Sequence, residues 1–216
     1  MRLLVDFREQ LVAERTRIAN RLHADLGTAY PGYQARCASL ATKQGLAAAT
    51  RLLRGDHSVR AELARRRIAA LRGLDKEAAE LEARIRSLVQ ATKTSLTAIP
   101  GIGALLAARI LGEVRDVARF PTAACFAAAN GTAPIPASSG RVQRHRLNRG
   151  GNRRLNRALY LMALVQSRTD ERARAYMQRK QAQGKSWIEA LRCLKRHLSN
   201  VVYRCLQRDQ AQATGA

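Results

Sequence analysis

The sequence predicts an all-α fold in two parts, a long helical, coiled-coil N-terminal part followed by a second helical domain. Apolar residues recur every three or four positions along most of the chain, which is the spacing of one face of a helix. No stretch has the pattern of a clear strand, and no repeat with a period of about 20–50 residues is present. The predicted boundaries are residues 1–95, residues 96–208 and a disordered tail over residues 209–216.

The first long helix is predicted over residues 2–26, where the apolar positions at helical spacing are Leu4, Phe7, Leu11, Ile18 and Leu22. Pro31 and Gly32 end it, because proline lacks a backbone donor and glycine permits a turn. Residues 34–57 are alanine-rich and are predicted to be helical, with breaks near Gly45 and Gly55.

A second long helix is predicted over residues 58–95. Its apolar positions alternate by three and four, as in the a/d seam of a coiled coil: Leu71, Leu74, Ala78, Leu81, Ile85 and Leu88. This seam fits either pairing with the first helix inside one chain or a dimer. A homo-oligomer formed through the coiled coil is therefore expected.

The segment Ala98-Ile-Pro-Gly-Ile-Gly103 precedes an apolar helix over residues 104–114 and is similar to a helix-hairpin-helix turn. Gly101 and Gly103 would let the backbone approach a phosphate, next to the free N–H groups at the start of the helix. Such a turn holds a nucleic-acid backbone without reading bases. A packed hairpin that binds no ligand is the alternative.

Charge points to a nucleic-acid partner. The 39 Lys and Arg residues against 16 Asp and Glu give a net charge of +23, which a polyanion would neutralise. No apolar run approaches the length of about 20 residues that spans a bilayer, so no membrane partner is expected. The charged residues near Met1 do not fit a signal peptide, and the four cysteines form no CxxC pair. A cytoplasmic protein is expected.

The arginine-rich segment follows a loop that contains two adjacent serines, Ser138 and Ser139. Its basic residues are Arg141, Arg144, His145, Arg146, Arg149, Arg153, Arg154 and Arg157. No Asp or Glu lies between Asp116 and Asp170, so no carboxylate is close in sequence. A hydroxyl beside many guanidinium groups indicates chemistry on a phosphodiester or binding to one.

The residues alone leave two interpretations of the serines open. Ser-Gly is a common turn dipeptide, and a free serine is a weak nucleophile that needs a base. His145 is one candidate for that base. Metal-assisted phosphoryl transfer needs clustered carboxylates, and the loop has none. We therefore expect this chain to bind no metal, and a purely nucleic-acid-binding role remains possible on these residues.

The order of motifs resembles the C-terminal transposase domain of the insertion-sequence-110 family of bacterial transposases, over about Ser95 to Gln207. The motifs that carry the resemblance are Ile99-Pro-Gly-Ile-Gly103, Asn130-Gly-Thr-Ala-Pro134, Ser138-Ser-Gly140, Asn148-Arg-Gly-Gly-Asn-Arg153 and Leu155-Asn-Arg-Ala-Leu159. The part before them resembles the helical linker of the same family.

The resemblance implies a DNA recombinase that makes a covalent phosphoserine through a serine directly before a glycine, here Ser139. It also implies a structured guide RNA and a RuvC-like domain whose four acidic residues hold Mg²⁺. The chain has no counterpart of that domain, so a truncated transposase that is inactive alone is expected, with Mg²⁺ bound only by the missing domain. The alternative is a non-catalytic nucleic-acid-binding remnant that regulates an intact transposase. The resemblance also implies nucleoid association.

Overall fold

The computed structural model describes residues 1–137, 145–148 and 150–214. Within these ranges the chain is almost entirely helical, which confirms the all-α fold. The helices are α1 (Arg2–Ala29), α2 (Lys43–Leu52), α3 (Val59–Ala91), α4 (Ala104–Val114), α5 (Ala123–Ala129), α6 (Arg153–Thr169), α7 (Glu171–Ala182) and α8 (Trp187–Thr214). Short 3₁₀ turns lie at Tyr33–Ala35, Ser95–Ala98 and Val117–Arg119.

One small strand pair was not predicted. β1 (Ile135–Pro136) pairs antiparallel with β2 (His145–Arg146), so that Ile135 lies opposite Arg146. Two residues per strand are too few to produce the period-2 pattern by which a strand is recognised in a sequence.

The chain divides into two compact units, one of residues Leu3–Arg84 and one of Met1–Arg2 with Ile85–Ala216. The division falls inside α3, before the buried residues Ile85 and Val89. The domain boundary predicted at residues 95/96 stays a prediction. Among the described residues, none of the helices has the length and apolar character needed to cross a membrane.

In the first unit, α1 and α3 run antiparallel to each other. Arg8 Nη2 lies 2.8 Å from Glu82 Oε2, and Arg15 Nη2 lies 3.2 Å from Asp75 Oδ2. Moving seven residues forward on α1 therefore corresponds to moving seven residues back on α3. The seam fitted either pairing with the first helix inside one chain or a dimer, and this structure contains the pairing inside one chain. A homo-oligomer through the coiled coil stays a prediction.

The core of the first unit lies between α1, α2 and α3. Its most buried large side chains are Leu22, Leu26, Leu46, Leu53, Ile68 and Leu71. Thr42 caps α2, because its Oγ1 accepts a hydrogen bond from Gly45 N at 3.0 Å. The break expected near Gly45 lies just before it, at residues 36–42, and Gly45 itself is in the first turn of α2. The break expected near Gly55 separates α2 from α3.

In the second unit, α8 packs against α5, α6 and α7, and α6 also packs against α4. The fully buried residues Phe126, Leu159, Met162 and Val202 form part of this core. A break between α6 and α7 was not predicted. Asp170 causes it: its Oδ1 accepts from Ala173 N at 2.8 Å and caps α7.

The disordered tail predicted from residue 209 is wrong as far as Thr214, because α8 continues to that residue. Side chains of its last turns bind the body of the unit. Asp209 Oδ2 accepts from Thr94 Oγ1 at 2.7 Å and from Ser95 N at 3.0 Å, and Gln210 Nε2 donates to Asp116 Oδ1 at 2.9 Å. These hydrogen bonds hold the polar last turns of α8 against the rest of the unit and stabilise them as a helix.

Candidate nucleic-acid interface

Two neighbouring cavities open between the start of α6 and α8. The first has a volume of about 670 Å³ and the second about 540 Å³, and residues Gly131, Leu147, Asn148, Arg192 and Lys195 line both. Among the described residues, eight basic side chains line the pair, together with the carboxylate of Glu189. We call these basic residues the cationic surface: Arg146, Arg153, Arg157, Lys180, Lys185, Arg192, Lys195 and Arg196. A concave surface of this charge fits an anionic chain.

The structure brings together three of the arginines that the sequence singled out. Arg153 and Arg157 line the first cavity from α6, and Arg146 lines the second from β2. Arg141, Arg144 and Arg149 lie outside the described residues, as do Ser138 and Ser139. Their predicted roles stay predictions.

Arg154 has a different environment. Its Nη1 lies 3.6 Å from Oε1 of Glu113, a residue whose side chain is buried. Arg154 follows Arg153 on the helix, and adjacent residues lie about 100° apart around a helix axis, so the two arginines lie on different faces. An ion pair with Glu113 makes Arg154 a weaker candidate for phosphate binding than Arg153 or Arg157.

The two predicted glycines of the hairpin turn do not line either cavity. Gly101 has φ +82°, and a Cβ there would lie 3.3 Å from both Met162 O and Val165 Cβ. Packing against α6 therefore explains this glycine without a ligand. Gly103 is exposed and precedes α4. The element before the turn is one 3₁₀ turn, Ser95–Ala98, so the likeness to a helix-hairpin-helix covers only the turn and α4.

The sequence analysis missed the contribution of α7 and α8. Arg192, Lys195 and Arg196 have i, i+3 and i+4 spacing, which places them on one side of α8. That spacing is visible in the sequence, between the apolar positions Leu191, Leu194 and Leu198. The sequence does not show that α8 packs beside α6.

A hydrogen-bond network holds the turn after α5 against the start of α6. Asn152 Oδ1 caps α6 by accepting from Arg154 N and Leu155 N at 3.0 Å, and Asn152 N donates to Ala129 O at 2.7 Å. Asn156 Nδ2 donates to Asn130 O at 2.8 Å. Asn152 and Asn156 therefore fix the backbone from which the cationic surface extends.

Lys195 is tied into this network. Its Nζ donates to Asn156 Oδ1 at 2.9 Å, and Asn156 is the residue that also binds Asn130. Burial lowers the pKa of Lys195, and the charge of Arg192 lowers it further. A phosphate bound here would favour the charged form of Lys195, because an anion stabilises the ammonium group.

The close contact between Gly131 and Gly151 gives a first prediction. A Cβ added at Gly151 would lie 2.5 Å from Gly131 Cα and 2.8 Å from Asn130 C, closer than packed atoms allow. Gly151→Ala is expected to lower the free energy of unfolding by about 1–3 kcal/mol, as overpacking does. Chemical denaturation measures it. Gly150→Ala is the matched control, because a Cβ there meets only Asn148 Oδ1, at 3.5 Å. Equal losses in the two variants would contradict the packing argument.

β1 and β2 lie on either side of the serine segment, residues 137–144. Because Pro136 lies opposite His145, the residues that enter and leave this segment are neighbours. Arg146, at the exit, lines the second cavity together with Lys185 and Arg196. The strand pair therefore contributes Arg146 to the cationic surface.

Part of this chain is similar to a known protein family. Residues 93–178 match the model of a family described as "Transposase IS116/IS110/IS902 family". These residues are thus similar to a transposase domain of that family. The match confirms the resemblance at the level of the family and covers α4, α5, β1, β2, α6 and most of α7.

Three insertion-element proteins are also similar to this chain. The chain is 38% identical over 141 residues to "Insertion element IS110 uncharacterized 43.6 kDa protein" of Streptomyces coelicolor, an alignment that covers 64% of this chain and 35% of that protein. It is 37% identical over 142 residues to "Insertion element IS900 uncharacterized 42 kDa protein" of Mycobacterium paratuberculosis, with the same coverage. "Mini-circle putative transposase for IS117" of S. coelicolor is 34% identical over 118 residues, which are 53% of this chain and 28% of that protein. The chain spans about a third of the length of the relatives it matches.

The transposase domain supplies only one side of the cationic surface. Arg153 and Arg157 lie inside the matched residues, whereas Arg192 and Lys195 lie beyond residue 178 on α8.

Among the residues that the structure describes, no group of three or more His, Cys, Asp and Glu could hold a metal ion. The Mg²⁺ that the family resemblance implies for a RuvC-like domain stays a prediction.

Proposed function

We propose that this chain is part of a DNA transposase, which binds DNA at the cationic surface and joins it covalently to Ser139. The observation that carries the proposal is the location of the strand pair. Within the matched residues, β1 and β2 flank residues 137–144 in the sequence, and Arg146 of β2 lines a cavity together with Lys185 and Arg196.

The proposed reaction is an exchange of phosphate esters. Ser139 Oγ attacks phosphorus, the bond from phosphorus to one sugar oxygen breaks, and the hydroxyl proton leaves with that oxygen or with a base. One ester bond forms as another breaks, so its energy is retained for rejoining. Positive side chains near the phosphate stabilise the charge that develops on its oxygens. The residue that acts as the base is left unassigned.

Three further elements of the proposal come from the family resemblance. A structured guide RNA binds the basic surface as well as DNA, a RuvC-like domain supplies the Mg²⁺-binding carboxylates, and copies of the chain associate through the coiled coil. The proposed location is the bacterial cytoplasm, at the nucleoid. The net charge of +23 supports both nucleic-acid partners.

The binding part of this proposal is tested by removing one charge from α8. Arg192 lines both cavities, and Arg192→Gln is expected to weaken DNA binding several-fold at low salt and to make the slope of log K against log salt shallower by about 1. Fluorescence anisotropy with a labelled duplex, over a series of salt concentrations, measures both quantities.

Arg204→Gln is the matched control. Arg204 is exposed on the same helix, twelve residues beyond Arg192 and about 120° around the helix axis from it, and it lines neither cavity. The same substitution there is expected to leave the slope unchanged. If the two variants weaken binding equally, DNA does not bind at the cationic surface. If binding follows the prediction but no covalent product forms under any condition, the chain is a non-catalytic binding module.

A further inference from the structure

The first cavity combines two kinds of surface. Its cationic side is formed by Arg153, Arg157, Arg192 and Lys195, while Leu147 and Tyr160 contribute an apolar side. Phosphate binding alone requires only the first of these. The volume of about 670 Å³ lies within the range of about 300–1,000 Å³ that is typical of pockets for small organic molecules.

Tyr160 is the unusual member of this lining. Leu159 and Met162, its neighbours on α6, are fully buried, but Tyr160 is 42% exposed. It follows Arg153 by seven residues and Arg157 by three, so the three side chains lie on one face of α6. An aromatic ring beside a row of arginines is the arrangement with which proteins stack a base and hold its phosphate.

The base in question cannot be part of an intact duplex. A paired base is stacked on its neighbours, and its flat face is accessible only when the strand is single or the nucleotide is extruded. Leu147, which is 52% exposed, offers a second apolar contact for such a base. The cavity therefore suits an unpaired nucleotide better than a continuous duplex.

The cationic side is held in place before any ligand arrives. The hydrogen bond from Lys195 Nζ to Asn156 Oδ1, at 2.9 Å, fixes the ammonium group at the wall of the cavity. Asn156 is itself held by its bond to Asn130 O. A preorganised cation binds a phosphate at a smaller entropic cost than a free side chain does.

We propose that this cavity binds one unpaired nucleotide, with its base against Tyr160 and Leu147 and its phosphate against Arg157, Arg192 and Lys195. The inference rests on the proposed function, to which it adds the conformation of the nucleic acid at the site. DNA and RNA share the chemistry that the cavity recognises, a flat base and an adjoining phosphate.

The test compares three ligands of matched sequence: a single strand, a duplex with one bulged nucleotide, and a fully paired duplex. Tyr160→Leu is expected to weaken binding of the first two by about 5- to 100-fold, the range for loss of one stacked base, and that of the paired duplex by less than about 2-fold. Tyr160→Phe keeps the ring and is expected to bind like the wild type. Each ligand is prepared as DNA and as RNA, and the larger effect of Tyr160→Leu identifies which of them enters the cavity.

Trp187→Leu is the control, because Trp187 is an equally exposed aromatic residue, at 44%, at the start of α8. Equal effects of Tyr160→Leu on all three ligands, or equal effects of the two substitutions, would overturn the nucleotide pocket but leave DNA binding intact. If the wild type binds no nucleic acid at low salt, the proposed function and this inference both fail.

A second measurement covers the case in which Tyr160→Leu unfolds. A single strand with one 5-iodouracil is cross-linked to the wild-type chain by light, and the modified peptide is identified by mass spectrometry. Cross-links at Tyr160 are expected, because the reagent reacts with an aromatic ring stacked on it. Cross-links only at other residues would overturn the proposal.

Discussion

Glu113→Gln is expected to lower the free energy of unfolding of the second unit by about 3–5 kcal/mol. The Glu113 side chain is buried, and its Oε1 lies 3.4 Å from Nη1 of Arg109, which is also buried. Its Oε2 accepts from Asn152 Nδ2 at 2.7 Å, so the same carboxylate holds the residue that caps α6. Glutamine has nearly the same shape but no charge, and a buried guanidinium that loses its countercharge is strongly destabilising.

Chemical denaturation followed by circular dichroism measures this loss. Glu171→Gln is the control, since Glu171 is an exposed carboxylate in the first turn of α7 and is expected to contribute less than about 1 kcal/mol. The double variant Arg109→Met with Glu113→Leu removes both charges and is expected to recover much of the stability. A loss below about 1 kcal/mol for Glu113→Gln would show that the carboxylate is not the electrostatic centre of this unit.

Glu113 also illustrates what the sequence could not provide. The absence of Asp and Glu between Asp116 and Asp170 suggested that the arginines have no nearby carboxylate. Glu113 lies just outside that stretch, and the packing of α4 against α6 brings it to Arg154. A count along the chain finds local partners only, whereas this ion pair depends on a contact between two helices.

Helix positions were predictable because they follow from local spacing. The apolar period identified α1 and α3, and Pro31 and Gly32 marked the end of α1. The break at Asp170 was missed because its signal is a single side-chain cap, without proline or glycine. The end of α8 was missed because Asp209 is stabilised by Thr94 and Ser95, which lie far away in the sequence.

The sequence predicted only the part of the candidate site that lies in one local segment. Arg153 and Arg157 belong to a dense basic segment that is visible in the sequence, and both line the first cavity. Arg192 and Lys195 lie in a different helix, and only the packing of α8 against α6 adds them to the site. Gly101 was singled out correctly as a special position, but the reason that the structure gives is contact with α6.

Ser139→Ala is expected to abolish a covalent protein–DNA product, because no other atom of the side chain can replace the hydroxyl as nucleophile. The loss should exceed about 1,000-fold, as for removal of other catalytic nucleophiles. DNA affinity is expected to change little, since one hydroxyl contributes little beside the charges of the cationic surface. Ser138→Ala is the matched control in the adjacent residue and is expected to keep the product.

The most direct measurement is covalent trapping. The chain is incubated with a suicide DNA substrate, Mg²⁺ and candidate guide RNA, with and without a separately supplied RuvC-like domain, and the adduct is detected on a denaturing gel and mapped by mass spectrometry. An adduct at Ser139 is expected only when the RuvC-like domain is present, and it should be lost in Ser139→Ala and kept in Ser138→Ala. An adduct at another residue, or one that survives Ser139→Ala, would contradict this prediction.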